Sequence, residues 1–267
     1  MNMFFLQMRS VLVAAVTTPF ICSPIANAKV HGQIITYKQG DTQLEGYLAY
    51  DDEGGKTLKP GVLVIHDWMG VSDDTKMRAD QLAQLGYVAF AADIYGKSVR
   101  PKNTAEAGKA ATTYKADRQL MRQRAKAGLS ELIKQKGVDS QRVAAIGYCF
   151  GGTTALELAR SGANIKGVVS FHGGLETPRT EDAKNIRAKV LVLHGADDPY
   201  VSESEVKNFE NEMRTAKVDW ELVKYSNAVH AFTIKGAGSD NSKGAAYNAE
   251  ADKRSWIAMK NFFAEIF

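Results

Sequence analysis

The segment Val143-Ala-Ala-Ile-Gly-Tyr-Cys-Phe-Gly-Gly-Thr-Thr-Ala-Leu-Glu-Leu-Ala159 decides how this chain folds. Its first four residues are apolar, as in a short buried strand, and its last eight place apolar side chains on one face of a helix. Only Gly147-Tyr-Cys-Phe-Gly151 separates the two patterns, which leaves almost no room for a turn. We therefore expect a strand that passes abruptly into a helix, with Cys149 at the bend.

A bend this sharp forces its central residue into a strained conformation. Glycines two positions before and after that residue are needed, because a Cβ there would clash. The central side chain is pushed out at the top of a sheet, at a helix N-terminus whose amides and dipole favour an anion. The spacing is that of a nucleophile elbow, G-x-S-x-G, with cysteine in place of serine. We predict that Cys149 is a nucleophile; a tight turn around a small buried cysteine is the alternative.

The N-terminal residues have the pattern of a secretory signal peptide. Arg9 precedes an apolar run over residues 11–16 that is too short to span a bilayer stably, and Ala26-Asn-Ala28 is a small-x-small cleavage site. We predict a signal peptide over residues 1–28 and an exported protein, periplasmic in a bacterium or secreted. Residues 29–267 would then form a single domain. An uncleaved membrane anchor is the alternative.

Composition restricts the classes of partner. The formal net charge is +4, and no basic block is interleaved with aromatic residues, so we expect a small-molecule substrate and no nucleic acid. After cleavage no membrane span is expected to remain, and Cys22 leaves with the signal peptide. Cys149 would then be unpaired in an oxidising compartment, which is easier to understand if it reacts. The oligomeric state stays open.

Strand-like and helix-like segments alternate along the rest of the chain. We predict an antiparallel pair of strands over residues 30–38 and 44–50, and helices over residues 75–85, 104–136 (with a break inside), 203–216 and 244–267. Buried strands are predicted between them. This is an α/β fold with a mostly parallel central sheet of about eight strands, antiparallel first strands and helices on both faces. In such sheets the ligand crevice lies beyond the carboxyl ends of the strands.

A nucleophilic thiol needs a base, and the base needs an orienting group. In α/β-hydrolases the nucleophile, the acid and the histidine follow one another in that order along the chain. Of the histidines after Cys149, His172 and His194 each end a buried strand directly before a glycine, which favours core or hinge roles. His230 lies in a loop after the last predicted strand. We therefore predict that His230 is the base.

The acid should follow the preceding strand, where Asp197 and Asp198 occur. Asp198 precedes a proline, which biases it toward an extended conformation, whereas Asp197 can stabilise the turn, so we favour Asp198. Two backbone amides should hold the developing oxyanion. One is that of Phe150, directly after the nucleophile, and Trp68 is the best candidate for the other because it follows the third strand.

These residues belong to four separated motifs, followed by His230-Ala-Phe232. The motifs are His66-Asp-Trp-Met-Gly70, Ala92-Asp-Ile-Tyr-Gly96, Gly147-Tyr-Cys-Phe-Gly-Gly152 and Gly195-Ala-Asp-Asp-Pro-Tyr-Val201. With them, the chain resembles the dienelactone hydrolase (carboxymethylenebutenolidase-like) family of the α/β-hydrolase superfamily from about residue 31 to 267. The resemblance implies an α/β-hydrolase fold and hydrolysis of ester or lactone bonds through an acyl-enzyme. It carries the family's triad onto Cys149, Asp198 and His230, with no metal or organic cofactor.

The chain departs from the family pattern at three positions. Asp67 stands where the family usually has a glutamate, a carboxylate thought to help ionise the thiol, so the resemblance gives it an accessory role. Lys97 and Ile234 stand where arginines hold the substrate's carboxylate, and lysine keeps the charge without the bidentate fork. These departures favour a substrate other than dienelactone. Further candidates for contact with substrate are Lys97 itself, Tyr95, Tyr148, Phe150 and Tyr200.

Three other functions remain open at this point. A thioesterase or a peptidase could use the same scaffold and the same triad. A non-catalytic exported relative that binds a small molecule belongs to another class, although the presence of every triad residue type argues against it. A redox role for Cys149 is weaker, because no resolving cysteine remains after cleavage.

Overall fold

The computed structural model describes residues 29–52 and 57–267. The interpretation of residues 1–28 as a signal peptide therefore concerns a segment outside the described residues. Within the described part, none of the helices has the length and apolar character needed to cross a membrane.

One continuous sheet organises these residues. Its strands are β1 (Val30–Gln39), β2 (Thr42–Asp51), β3 (Lys59–Ile65), β4 (Val88–Ala92), β5 (Val138–Tyr148), β6 (Gly167–Phe171), β7 (Lys189–Gly195) and β8 (Trp220–Tyr225). Their spatial order is β1-β2-β4-β3-β5-β6-β7-β8. The pairs β1–β2 and β2–β4 are antiparallel, and all other neighbours are parallel. The predicted α/β fold with antiparallel first strands is confirmed.

The helices of the described part are α1 (Asp73–Gln84), α2 (Thr104–Ala116), α3 (Arg118–Lys134), α4 (Phe150–Arg160), α5 (Glu203–Ala216) and α6 (Ala249–Ile266). The break predicted within residues 104–136 falls at Asp117, whose carboxylate accepts the Leu120 amide and so caps α3. The last helix begins five residues after the start predicted at residue 244. It begins at Ala249 because the side chain of Asn248 caps it and residues before that belong to the loop after β8.

Both faces of the sheet are buried, which is why its central strands are continuously apolar. Side chains alternate between the faces along each strand. In β3, Leu63 and Ile65 pack toward α3, α4 and α5, whereas Val62 and Val64 pack toward α1 and α6. This alternation determines on which face of the sheet the residue after each strand begins its connection.

The carboxyl ends of the parallel strands meet at one edge of the sheet. Several of their connections start there, including residues 66–72 after β3, the bend between β5 and α4, and residues 196–202 after β7. The segment that follows β8, residues 226–248, starts at the same edge. All residues predicted for the triad lie in these connections.

Candidate active site

Cys149 occupies the bend between β5 and α4 in a strained conformation, with φ 54° and ψ −117°. The glycines on either side are required by close backbone contacts. A Cβ on Gly147 would lie 1.9 Å from the Gly151 carbonyl oxygen, and one on Gly151 would lie 2.2 Å from that of Ile65. The thiol is free and partly exposed at the N-terminus of α4. The bend thus presents the sulfur as the glycine spacing indicates.

The imidazole of His230 links the thiol to a carboxylate. Its Nε2 lies 3.0 Å from the Cys149 Sγ, and its Nδ1 lies 2.8 Å from the Asp198 Oδ2. Asp198 is itself fixed, because its Oδ1 accepts the Tyr200 amide at 2.9 Å and its side chain is buried. The structure therefore brings together the three residues that the sequence singled out, in the order acid, histidine and thiol.

Charge at this site favours a protonated histidine. Burial lowers the pKa of His230, but its interaction with Cys149 and the hydrogen bond that its Nδ1 donates to Asp198 outweigh the effect of burial, and the pKa is raised to about 10. His230 can therefore hold a proton taken from the thiol. Removal of that proton is what makes a cysteine side chain a nucleophile.

The two residues predicted to supply oxyanion donors, Phe150 and Trp68, lie in different connections at this edge of the sheet. Phe150 is the first residue of α4, where backbone amides have no partner within the helix. The Trp68 carbonyl accepts the Tyr95 hydroxyl at 3.1 Å, and the next amide, that of Met69, donates to the Asp67 Oδ1 at 2.8 Å. The peptide group between Trp68 and Met69 is therefore held at both ends.

Asp67 is buried beside this loop, at 7% exposure. Removal from water raises the pKa of its carboxyl to about 6, although the hydrogen bond from the Met69 amide acts in the opposite direction. Asp67 also borders a cavity of about 120 Å³ whose lining includes Tyr148 and Thr233. Asp67, in the loop after β3, thus shares a cavity with the end of β5 and with the loop that carries His230.

Of the residues suggested for substrate contact, Tyr200 is the most open, at 62% exposure, and its ring meets that of His230 edge to face at 5.4 Å. Tyr95, Tyr148 and Phe150 are buried. The ring of Tyr148 stacks on Phe171 within the core. The indole of Trp68 is 37% exposed.

Lys97 lies apart from this group. Its amide donates to the Gln43 carbonyl, and its ammonium forms an ion pair with Glu45 at 2.9 Å, both on β2. Three strand spacings separate β2 from β5, roughly 14 Å, so Lys97 is far from Cys149. The structure does not bring this side chain to the sulfur.

Sequence reasoning missed the role of His172 in the site's surroundings. It is fully buried and its ring lies 5.4 Å from that of His230, edge to face. Burial and the nearby charge of His230 hold the pKa of His172 well below its usual range, so it is neutral. Its Nε2 shares a hydrogen bond of 2.7 Å with the Thr233 hydroxyl. Its position at a strand end before a glycine was the one available signal, and that signal suggested only a core role.

No group of three or more His, Cys, Asp or Glu side chains in residues 29–52 and 57–267 is arranged to hold a metal ion. The arrangement that the structure does contain is a thiol, an imidazole and a carboxylate in line, next to a helix N-terminus. This combination suits nucleophilic attack on an electrophilic centre.

A doubly covered, mostly parallel sheet with a strained cysteine at the bend after its fifth strand has the architecture of an α/β-hydrolase. The family model described as "Dienelactone hydrolase family" matches residues 44–267. The chain therefore belongs to the dienelactone hydrolase family, a family of hydrolases, as the sequence motifs predicted.

Individual relatives agree with this assignment. A protein of Aquifex aeolicus named "Putative carboxymethylenebutenolidase" is 26% identical over 87% of this chain and 97% of its own. "Protein usf" of Aquifex pyrophilus is 30% identical over 75% of this chain and 87% of its own. Among solved structures, a dienelactone hydrolase-like promiscuous phosphotriesterase from metagenomic libraries has a TM-score of 0.84. It is 43% identical, with 89% of this chain and 99% of that one covered.

Proposed function

We propose that this protein hydrolyses ester or lactone bonds of a small molecule through an acyl-enzyme on Cys149. The observation that carries the proposal is the continuous line from Asp198 through His230 to the sulfur, at 2.8 and 3.0 Å. Because the sulfur lies at a strained bend, its position is fixed before any substrate arrives.

In the first step the thiolate of Cys149 attacks the carbonyl carbon, and the carbonyl electron pair moves onto oxygen. The amides of Phe150 and Trp68 are the proposed donors to that oxyanion, each worth roughly 3 kcal/mol in the transition state. The imidazolium of His230 gives its proton to the leaving alcohol as the carbon–oxygen bond breaks. A thioester on Cys149 and a neutral His230 result.

In the second step His230 accepts a proton from water, and the resulting hydroxide attacks the thioester. The carbon–sulfur bond breaks, the carboxylic acid leaves and the thiolate is restored beside the imidazolium. Asp198 holds the imidazole in one tautomer and one orientation throughout. The nearby Asp67 carboxyl can exchange its own proton near neutral pH, which supports an accessory role.

The chemical class of the substrate follows from what surrounds the sulfur. The exposed aromatic ring of Tyr200 packs against that of His230 and Trp68 is exposed in the loop after β3, whereas the ammonium of Lys97 is paired with Glu45 on β2. This distribution supports an uncharged ester or lactone with an apolar portion, and it gives no support to recognition of a carboxylate by Lys97.

Phosphotriester hydrolysis is a second candidate activity. It is favoured by one observation, the 43% identity with a solved relative whose title describes a promiscuous phosphotriesterase. The same thiolate could attack phosphorus in place of carbon, since both centres place negative charge on oxygen as the bond forms.

The test is to compare Cys149→Ala and Cys149→Ser with the parent protein on p-nitrophenyl esters, lactones, thioesters, peptides and a phosphotriester. We expect ester or lactone turnover in the parent and a loss of at least about a thousandfold in Cys149→Ala, as for other nucleophiles in triads. Full ester activity of Cys149→Ala would refute the mechanism. A parent protein that turns over none of these substrates, and whose Cys149 resists iodoacetamide, would support the non-catalytic binding alternative.

A further inference from the structure

Arg78 is a buried cation on α1 that the sequence motifs do not include. Its side chain is 7% exposed, and its guanidinium lies between the rings of Tyr148 and Trp256, at 5.5 and 5.3 Å from their centroids. Tyr148 directly precedes the cysteine at the bend, and Trp256 is on α6. One side chain thus joins α1, the end of β5 and the last helix.

The same guanidinium binds the loop that carries His230. Its Nη2 donates to the Thr233 carbonyl oxygen at 3.0 Å and to the Asp252 Oδ1 at 2.6 Å. The carboxylate of Asp252 compensates the buried charge of Arg78. The guanidinium can therefore bind Thr233 without leaving an unpaired ion in the interior. Thr233 is only three residues beyond His230 in the chain.

A second link runs from Thr233 to His230 through side chains. The Thr233 hydroxyl shares a hydrogen bond with the His172 Nε2, and the His172 ring packs edge to face against that of His230. Displacement of Thr233 would therefore act on His230 both along the backbone and through the ring of His172.

We propose that Arg78 is a positioning residue that holds the imidazole of His230 within reach of the Cys149 sulfur. It does so by fixing the Thr233 carbonyl to α1 and to the strand that carries the nucleophile. The inference rests on the proposed function, because it assumes that the line from Asp198 to the sulfur is what turns substrate over.

The chemistry of the site requires arginine in particular. A guanidinium is planar, offers several donors in a fixed fork and stacks on aromatic faces, which suits two rings and three acceptors at once, the third being the Gln81 Oε1 at 3.1 Å from Nη1. Lysine at position 78 could reach one acceptor but would lose the other hydrogen bonds and the stacking. Methionine would keep much of the apolar stem and lose all three hydrogen bonds.

Arg124 provides a matched control. It is equally buried, at 6% exposure, and it too binds a carbonyl and a side chain of a distant segment. Its Nη1 donates to the Gln39 carbonyl and its Nη2 to the Thr42 hydroxyl, and both acceptors lie beside the β1–β2 turn. We therefore expect Arg124→Met to lower the stability of the protein about as much as Arg78→Met does, but at a place away from His230.

The experiment measures kcat, KM and the thermal midpoint for Arg78→Met, Arg78→Lys and Arg124→Met on an ester that the parent hydrolyses. We expect Arg78→Met to lower kcat about tenfold to a hundredfold, as displacements near 1 Å do, with KM within about threefold. Arg78→Lys should lie between Arg78→Met and the parent. Arg124→Met should lose thermal stability while its kcat stays within about twofold of the parent value.

The outcomes separate the two proposals. If Arg78→Met keeps the kcat of Arg124→Met while Cys149→Ala is inactive, the positioning role is wrong and the proposed function stands. If Cys149→Ala is fully active, the proposed function is wrong irrespective of Arg78. Should Arg78→Met fail to fold, Arg78→Lys decides: a kcat equal to that of the parent, in a folded protein, would contradict the inference.

Discussion

Two segments meet at the active site, and they are held in different ways. The segment around Cys149 is fixed mainly by backbone packing, since the glycines at 147 and 151 allow carbonyl groups to approach within distances that no Cβ would permit. The loop that carries His230 is fixed by side chains from elsewhere, including Asp198 and Arg78. The proposed nucleophile is therefore positioned by local chain geometry, whereas the proposed base is positioned by tertiary contacts.

The largest effect should come from breaking the segment of the nucleophile. In Gly151→Ala the new Cβ would lie 2.2 Å from the Ile65 carbonyl oxygen and 2.5 Å from that of His66, so β3 and α4 must separate. We expect a loss of about 3 kcal/mol or more in the free energy of unfolding, because backbone cannot yield as a side chain can. Urea unfolding of the purified variant measures this loss.

Gly108→Ala is the matched control, since a Cβ at Gly108 on α2 meets nothing within 4 Å. Alanine is the better helix former by roughly 0.5–1 kcal/mol, so this variant should be as stable as the parent or slightly more stable. Equal stability of the two variants would mean that the approach of α4 to β3 is not tight.

The difference between local geometry and tertiary contacts also explains which features could be predicted from the sequence. The bend at Cys149 follows from residues within a few positions of each other, and Asp198 and His230 could be proposed because each follows a strand in a fixed order. The link between Arg78 and Thr233 spans 155 positions, and nothing in the local pattern around either residue indicates it. It depends on how α1 packs beside the loop after β8.

Two further differences between the sequence-based predictions and the structure also arise from contacts between distant parts of the chain. The last helix begins at Ala249 and not near Gly244, because the Gly244 carbonyl accepts the His230 amide at 3.2 Å and belongs to the loop. Lys97 has the charge expected of a substrate-binding residue, yet its partner is Glu45 on a neighbouring strand. Both facts depend on pairings between distant parts of the chain.

Removing the charge of Asp198 tests how the loop that carries His230 is held. Asp198→Asn keeps an oxygen that can accept the Tyr200 amide, but it removes the charge that stabilises the His230 imidazolium. We expect kcat to fall about a thousandfold to ten-thousandfold, because the imidazole loses its orienting carboxylate, and the free energy of unfolding to fall by about 1.5–3 kcal/mol, because a buried hydrogen bond loses its charge. Ester kinetics and urea unfolding on the same preparation measure both.

Asp197→Asn is the control for this variant, since Asp197 is exposed and adjacent in sequence. Its kcat should match that of the parent. A comparable fall in both variants would show that the loop after β7, and not the carboxylate of Asp198, is what the activity requires.

The smallest effect concerns Asp67, which borders both segments through the cavity that Tyr148 and Thr233 also line. Burial raises the pKa of its carboxyl to about 6, above the ordinary value of 3.8. The folded state therefore binds a proton more tightly than the unfolded state, and stability falls as pH rises from about 4 to about 6. The fall due to this group is at most about 3 kcal/mol.

Asp67→Asn should remove that dependence, because the amide still accepts the Met69 amide proton but does not ionise. The variant should match the parent near pH 4 and exceed it in the free energy of unfolding above pH 6. Urea unfolding at pH 4, 5, 6 and 7 measures the difference, with Asp41→Asn, in the exposed turn between β1 and β2, as the control for removing a surface carboxylate away from this cavity. A constant offset for Asp67→Asn would mean that Asp67 is ionised throughout. The site would then hold a fixed negative charge at the cavity that Tyr148 lines. That charge would act on the segment around Cys149 in addition to its packing.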